Sequence, residues 1–264
     1  MTTTPVGMRC PECSRERTKV MRMRDMASVP RVTYALIVIN VAVFLAEGGG
    51  AFAISGGRGP SGTVFTEGAL LGSLPGVPEL GVAHGQWWRI LTGGFLHESL
   101  LHIGFNMYIL YILGRMLEPA LGRVKFSVIY GVSLLTGSLG ALLVSPHSVT
   151  VGASGAVFGI MGAAAVEMRA RKIPVMQSGV GGLILINLVI SFTLSGISWG
   201  GHVGGLAGGA LAAFLLQQGE QRRAQALAFA ACAVIAVAAV AGSIATSKAS
   251  EEASVPAQLA EPGQ

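Results

Sequence analysis

Residues 201–213 read GHVGGLAGGALAA, and residues 152–155 read GASG. In the first stretch Gly201, Gly205, Gly209 and Ala213 recur every fourth residue, and from the second onward Gly155, Gly159 and Ala163 do the same. Small side chains at that spacing let two membrane helices approach to backbone contact, where close packing rather than water exclusion drives association. A potential base, His202, and a potential nucleophile, Ser154, stand at the heads of the two ladders. A glycine ladder alone is generic, but its coincidence with a serine and a histidine is not.

The rest of the chain places those ladders in a membrane. Apolar residues make up 52% of the 264 and charged residues only 12%, where a soluble domain carries about a quarter, and the mean hydropathy is +0.63. Apolar runs recur at 32–46, 97–117, 124–144, 153–166, 179–194, 201–216 and 224–245, and a bilayer core takes about 20 helical residues. The expectation is an all-α membrane protein with seven spans. The first run follows a charged leader too long for a signal peptide and without a convincing cleavage site, so it reads as a retained helix. The division expected is a basic leader (1–30), a six-span core (31–217), a linker with a seventh span (218–247) and a polar tail (248–264) that reads as disordered. A Gly- and Pro-rich loop, 48–94, interrupts the core.

Lys and Arg set the orientation. With the leader in the cytoplasm, Arg9, Arg15, Arg17, Lys19, Arg22, Arg24, Arg31, Arg115, Arg123, Lys125, Arg169, Arg171, Lys172, Arg222 and Arg223 face inward, and only Arg58, Arg89 and Lys248 face outward. That satisfies the positive-inside rule and puts the C-terminus outside. The net charge of +5 is then accounted for by topology and anionic lipid, and no nucleic-acid partner is needed.

On this topology the second, fourth and sixth spans run in the same direction. The groups near their N-terminal ends, His97, His102, Asn106, Ser154 and His202, share the outer leaflet. Each alone would read as an ordinary helix–helix hydrogen bond; five at one depth, each costly in a bilayer, point to a built cavity. His102 and Asn106 are four apart and share a helix face. The fourth run is some five residues short of a span, a shortfall of roughly 7 Å at about 1.5 Å per residue, so if Glu167, Arg169 and Arg171 pin its cytoplasmic end, Ser154 is recessed below the outer surface.

The acids supply no third member for a triad. Asp25 lies in the leader, Glu118 and Glu167 at inner helix ends, and Glu98 at the outer rim. The pattern is that of a Ser-His dyad, with His202 taking the Ser154 proton as the hydroxyl attacks a carbonyl and returning it to the leaving amine. The Ser154 backbone N–H at a helix N-terminus, with His102 and Asn106, would stabilise the oxyanion. Phe158, one turn below Ser154, either packs on the His202 ring or is plain core. Trp87-Trp88-Arg89 reads either as an interfacial anchor or as a site where Arg89 has a specific structural role.

Across about residues 32–216 the chain resembles the rhomboid intramembrane serine proteases. The motifs are Trp88-Arg89, His102-x-x-x-Asn106, Gly114-x-x-x-Glu118-x-x-x-Gly122, Gly152-x-Ser154-Gly155 and His202-x-x-Gly205-x-x-x-Gly209, in that order. The resemblance implies a rhomboid-like six-helix bundle, with the last run making a six-plus-one arrangement. It implies Ser154 as nucleophile, His202 as base and cleavage of transmembrane substrates near helix-destabilising segments. It also implies a first outer loop that dips sideways into the membrane, Glu118 as a hydrogen-bonding hub, and a fifth span that with the following loop helps gate substrate entry. Trp88, Arg89, His97, Gly155, Phe158 and Gly205 are the expected supporting residues.

Cys10 and Cys13 have the spacing of half a zinc site, but Cys232 lies in the last apolar run, so the chain as given cannot complete four ligands. They are either two reduced cysteines without a ligand or the end of a zinc module that begins upstream of the given start. No nucleotide, flavin or haem motif occurs, and no cofactor is expected. Two other functions fit less well. A catalytically silent rhomboid-like escort factor would usually have lost the serine or the histidine. A small-solute transporter would usually show inverted repeats or interrupted helices.

Overall fold

Each of the seven apolar runs is helical in the computed structural model, which describes residues 2–4, 7–9, 29–47, 62–77 and 79–260. Two three-residue strands, β1 (Thr2–Thr4) and β2 (Gly7–Arg9), pair antiparallel in the leader, and otherwise the described chain is all-α. The helices are α1 (Arg31–Ala46), two short ones in the loop, α2 (Thr63–Gly68) and α3 (Arg89–Thr92), then α4 (Leu100–Leu121), α5 (Arg123–Val144), α6 (Ser154–Ala170), α7 (Val180–Thr193), α8 (Trp199–Gln221) and α9 (Gln225–Ala260). Cys10 and Cys13 lie outside the described residues.

By length and composition α4, α5, α8 and α9 can cross a membrane. α1 and α7 are apolar but shorter. α6, at 17 residues, spans about 25 Å against a hydrocarbon core of about 30 Å. The polar tail is not disordered over its first part. α9 continues through it, and His84 of the loop meets Glu251 at 3.4 Å. Composition alone had suggested disorder because it does not register that a long apolar helix can carry its polar continuation with it.

α6 is the hub of the bundle. Residues 156–164 are buried without a break, the mark of a helix surrounded on all sides. α8 lies between α5 and α6, and its glycines make both seams. A Cβ at Gly205 would meet the Gly155 carbonyl, one at Gly209 the Gly159 carbonyl, and one at Gly204 the Thr136 carbonyl at 2.5 Å. Backbone-to-backbone packing of this kind gives the seam one register, because a carbonyl cannot move aside as a side chain can.

Polar groups staple the periphery. Glu118, buried on α4, accepts from the backbone N–H groups of Val32 (2.9 Å) and Thr33 (2.8 Å) and from the Thr33 hydroxyl (2.8 Å). A carboxylate at the first turn of α1 satisfies otherwise orphaned donors and complements the helix dipole. Gly122, at φ +82°, ends α4 and starts α5, a left-handed conformation that glycine adopts without penalty.

In the loop, Arg89 is 1% exposed. Its guanidinium donates to the carbonyls of Thr66 and Ala69, both at 2.8 Å, and to Gln86 Oε1 at 2.7 Å. Burial lowers its pKa and nearby Glu67 works the other way, but an arginine remains charged. Trp88 donates from its ring to the Glu67 carbonyl, and both Trp87 and Trp88 are exposed. The two readings of Trp87-Trp88-Arg89 therefore divide between its residues: Arg89 organises the loop while the indoles face outward.

Candidate active site

The sequence brings Ser154 to the first position of α6 through a constrained approach. Residue 150 pairs with the loop, Thr150 and Leu70 exchanging backbone hydrogen bonds at 2.8 and 3.0 Å, and the Gly152 N–H donates to the Gly93 carbonyl at 2.9 Å. Gly152 then turns at φ +125°, where an added Cβ would stand 2.7 Å from the His102 ring nitrogen. Only glycine meets both demands. The α6 N-cap, Ala153, offers no side-chain cap, so the first-turn N–H groups of Ser154 and Gly155 face a small cavity without a built-in acceptor.

That cavity, about 30 Å³, is lined by Gly93, Gly137, Thr150, Gly152, Ser154 and His202 among others. It has room for a water or two. His202 sits in the first turn of α8, whose N-cap Ser198 accepts from the Gly201 N–H at 3.3 Å. Across the glycine seam, His202 Nε2 and Ser154 Oγ are hydrogen-bonded at 2.7 Å. Phe158 stacks on the imidazole at 4.2 Å between centroids with 14° between planes, and the histidine is 9% exposed. A serine hydroxyl hydrogen-bonded to an oriented imidazole beside open N–H donors is an arrangement capable of acyl transfer.

The remaining polar groups divide. His102 stands against Gly152, with its own N–H held by Ser99 at 3.2 Å. Asn106 is buried on the same face of α4, but its amide donates to the His102 carbonyl at 3.1 Å. His97 is fully buried behind the site. Its ring meets that of His102 edge-on at 5.1 Å, its Nε2 accepts from the Ala153 N–H at 3.5 Å, and its own N–H donates to Glu47 at 3.1 Å. Burial pushes the Glu47 carboxyl up to about 7, against the opposite pull of that N–H. Gly155 and Gly205 form the seam, while Glu118 is bonded to α1 and Trp88 and Arg89 to the loop, none of them to Ser154 or His202.

One contact lay outside the sequence reading. His202 Nδ1 is 2.6 Å from the hydroxyl of Ser191 on α7, and that hydroxyl donates to the Asn187 carbonyl, also at 2.6 Å. The fifth span, α7, is not one of the three that run in parallel. A span running the other way, however, presents its C-terminal end to the same leaflet, and Ser191 lies two residues before the end of α7.

A family model described as the rhomboid domain matches residues 84–219, just over half of the chain. The chain belongs to the rhomboid family. The rhomboid match covers α4 to α8 and the end of the loop, and so includes every residue of the Ser154–His202 contact. Among relatives, rhomboid protease GluP of Bacillus subtilis is 34% identical over 190 residues, 71% of this chain and 35% of GluP. YdcA of the same organism is 35% identical over 148 residues, 54% of this chain and 74% of YdcA. Rhomboid-like protease 1 of Toxoplasma gondii is 35% identical over 133 residues, 47% of this chain and 45% of that protein. The chain thus spans about a third of GluP and about three quarters of YdcA.

Proposed function

We propose that this rhomboid-family membrane protein is a serine endopeptidase that cuts transmembrane segments of other proteins near the outer leaflet. The observation that carries the reading is the 2.7 Å hydrogen bond between Ser154 Oγ and His202 Nε2 across a seam of glycines. A serine hydroxyl is a weak nucleophile until an adjacent base takes its proton. His202 removes that proton as Oγ attacks the scissile carbonyl, and the carbonyl electrons move onto oxygen. The N–H groups at the start of α6, which carry the positive end of the helix dipole, stabilise that oxyanion. The His102 ring, and the Asn106 amide once released from its own helix, add donors on the other side.

Collapse of the tetrahedral intermediate expels the amine, which receives the proton from His202 and leaves an ester on Ser154. A water in the adjoining cavity, deprotonated in turn by His202, hydrolyses the ester and regenerates the hydroxyl. Phe158 limits the imidazole to in-plane positions facing Ser154. With the leader in the cytoplasm the site opens toward the outer face, which suits the short α6. Membrane lipid and transmembrane substrates are the expected partners.

The test is cleavage of a tagged transmembrane reporter by the wild-type protein, Ser154→Ala and His202→Ala, each reconstituted in liposomes. Wild type is expected to cut, with both variants folded and at least about a thousandfold slower, as for loss of a nucleophile or its base. Cleavage by Ser154→Ala at the wild-type rate would overturn the assignment.

A further inference from the structure

We infer that Ser191 is a positioning residue: its hydroxyl oxygen accepts the Nδ1–H of His202 and so holds the ring in the tautomer whose Nε2 can take the Ser154 proton. A neutral imidazole has one N–H and one lone pair, and only the form protonated on Nδ1 leaves Nε2 free to act as base. The proton assignment follows from the second bond of Ser191. Its Oγ lies 2.6 Å from the Asn187 carbonyl, the back-bond a helical serine makes to residue i−4. If the hydroxyl hydrogen pointed at His202 instead, two oxygens at that separation would face each other with no hydrogen between them. The single Ser191 hydrogen therefore goes to Asn187, and the 2.6 Å contact to Nδ1 has its hydrogen on the ring.

The burial pattern of α7 singles out the same residue. Of Val180–Thr193 only Val180, Gly181 and Ser191 are buried, while Leu185, Ile186, Val189 and Phe192 are more than half exposed. The one buried side chain in the outer half of α7 is thus the one that reaches His202. A hydroxyl does here what a carboxylate does in a triad, without placing an anion in a low-dielectric site, where desolvation would be costly. Its back-bond to Asn187 also polarises the hydroxyl oxygen as an acceptor. The tautomer is set from α7 although the base is carried by α8, so the seating of α7 is a condition for base catalysis.

The kinetic consequence rests on the protease reading; the tautomer does not. The experiment is therefore paired. Nitrogen-15 NMR of histidine-labelled protein in detergent, with the His202 signals assigned by His202→Gln, reports which ring nitrogen is protonated at a pH where the ring is neutral. Reporter cleavage and thermal unfolding are measured beside it for wild type, Ser191→Ala and Ser191→Thr. Wild type is expected to show Nδ1–H, Ser191→Ala a loss of that tautomer, and Ser191→Thr, which keeps a hydroxyl, its retention. Ser191→Ala should lower kcat roughly 10- to 100-fold, the range of a hydrogen bond to a group that becomes charged, with KM within about twofold, and Ser191→Thr should recover most of the rate.

An Nε2–H tautomer in the wild type would overturn the proposal, as would a Ser191→Ala kcat within about twofold of wild type. An absence of reporter cleavage by the wild type would count against the protease reading alone, because the tautomer is read without turnover.

Discussion

Gly205→Ala is the sharpest test of the claim that the glycine seam aligns Ser154 with His202. A Cβ at Gly205 would meet the Gly155 carbonyl, with the carbonyl carbon at 2.6 Å and Cα at 3.0 Å. These are backbone atoms one residue from Ser154 and three from His202 along their helices, so no rotamer change relieves the clash. Restoring ordinary contact, about 3.5 Å between carbons, requires α6 and α8 to separate by about 1 Å at this level. The same movement stretches the 2.7 Å Ser154–His202 hydrogen bond to about 3.7 Å, beyond the range in which it is a hydrogen bond.

Misplacement of reacting groups by about 1 Å costs on the order of a hundredfold in rate, and overpacking costs about 1–3 kcal/mol in stability. The expected result is a folded protein with a modestly lowered melting temperature and reporter cleavage down about a hundredfold. Gly104→Ala is the control, since a Cβ there meets nothing within 4 Å. Initial cleavage rates in liposomes, with circular dichroism and thermal unfolding in detergent, decide the matter. A Gly205→Ala protein that cuts within about threefold of the wild-type rate would refute the argument that backbone contact sets the register.

Two further predictions concern the frame around the site. Arg89→Lys keeps the charge but cannot reach Thr66, Ala69 and Gln86 together, so limited proteolysis within residues 62–88 should accelerate and cleavage activity should fall several-fold; unchanged proteolysis would deny Arg89 its organising role. For Glu47, whose folded-state pKa of about 7 lies above the ordinary 4.5, the folded protein holds a proton that the unfolded chain has released. Its contribution to stability is fully present below about 4.5, declines as pH rises, and is gone above about 7. Melting temperatures across that window should fall in the wild type and stay flatter in Glu47→Gln, and parallel curves would remove the assignment.

The sites differ in how far a linear reading could reach. Ser154 and His202 were legible because each heads a ladder of small residues, and that periodicity is a local property that survives without coordinates. Gly152 was legible as part of a motif but not as a steric necessity, because the His102 ring that excludes a Cβ comes from a helix fifty residues earlier. Glu118 could be named as a hub only through family resemblance. Its partners, Val32 and Thr33, are 86 and 85 residues away, and nothing in the spacing connects them. The helical continuation of α9 was missed because the polarity of residues 248–254 outweighed the helix leading into them. Ser191 was missed because serine in an apolar run is ordinarily satisfied by its own helix, and half of its bonding is of that kind.

What the sequence by itself determined is the class and the pairing: a membrane protein built of apolar helices, with two small-residue seams that bring a serine and a histidine to one depth. These follow from composition and from the four-residue repeat, both of which act through nearest neighbours. Only the tertiary structure decided which nitrogen of His202 faces Ser154, which residue holds the other, and why Arg89 is buried beneath two exposed tryptophans. Those depend on the rotation of each helix about its own axis. That rotation is set by contacts among elements far apart in the chain, and no local pattern records it.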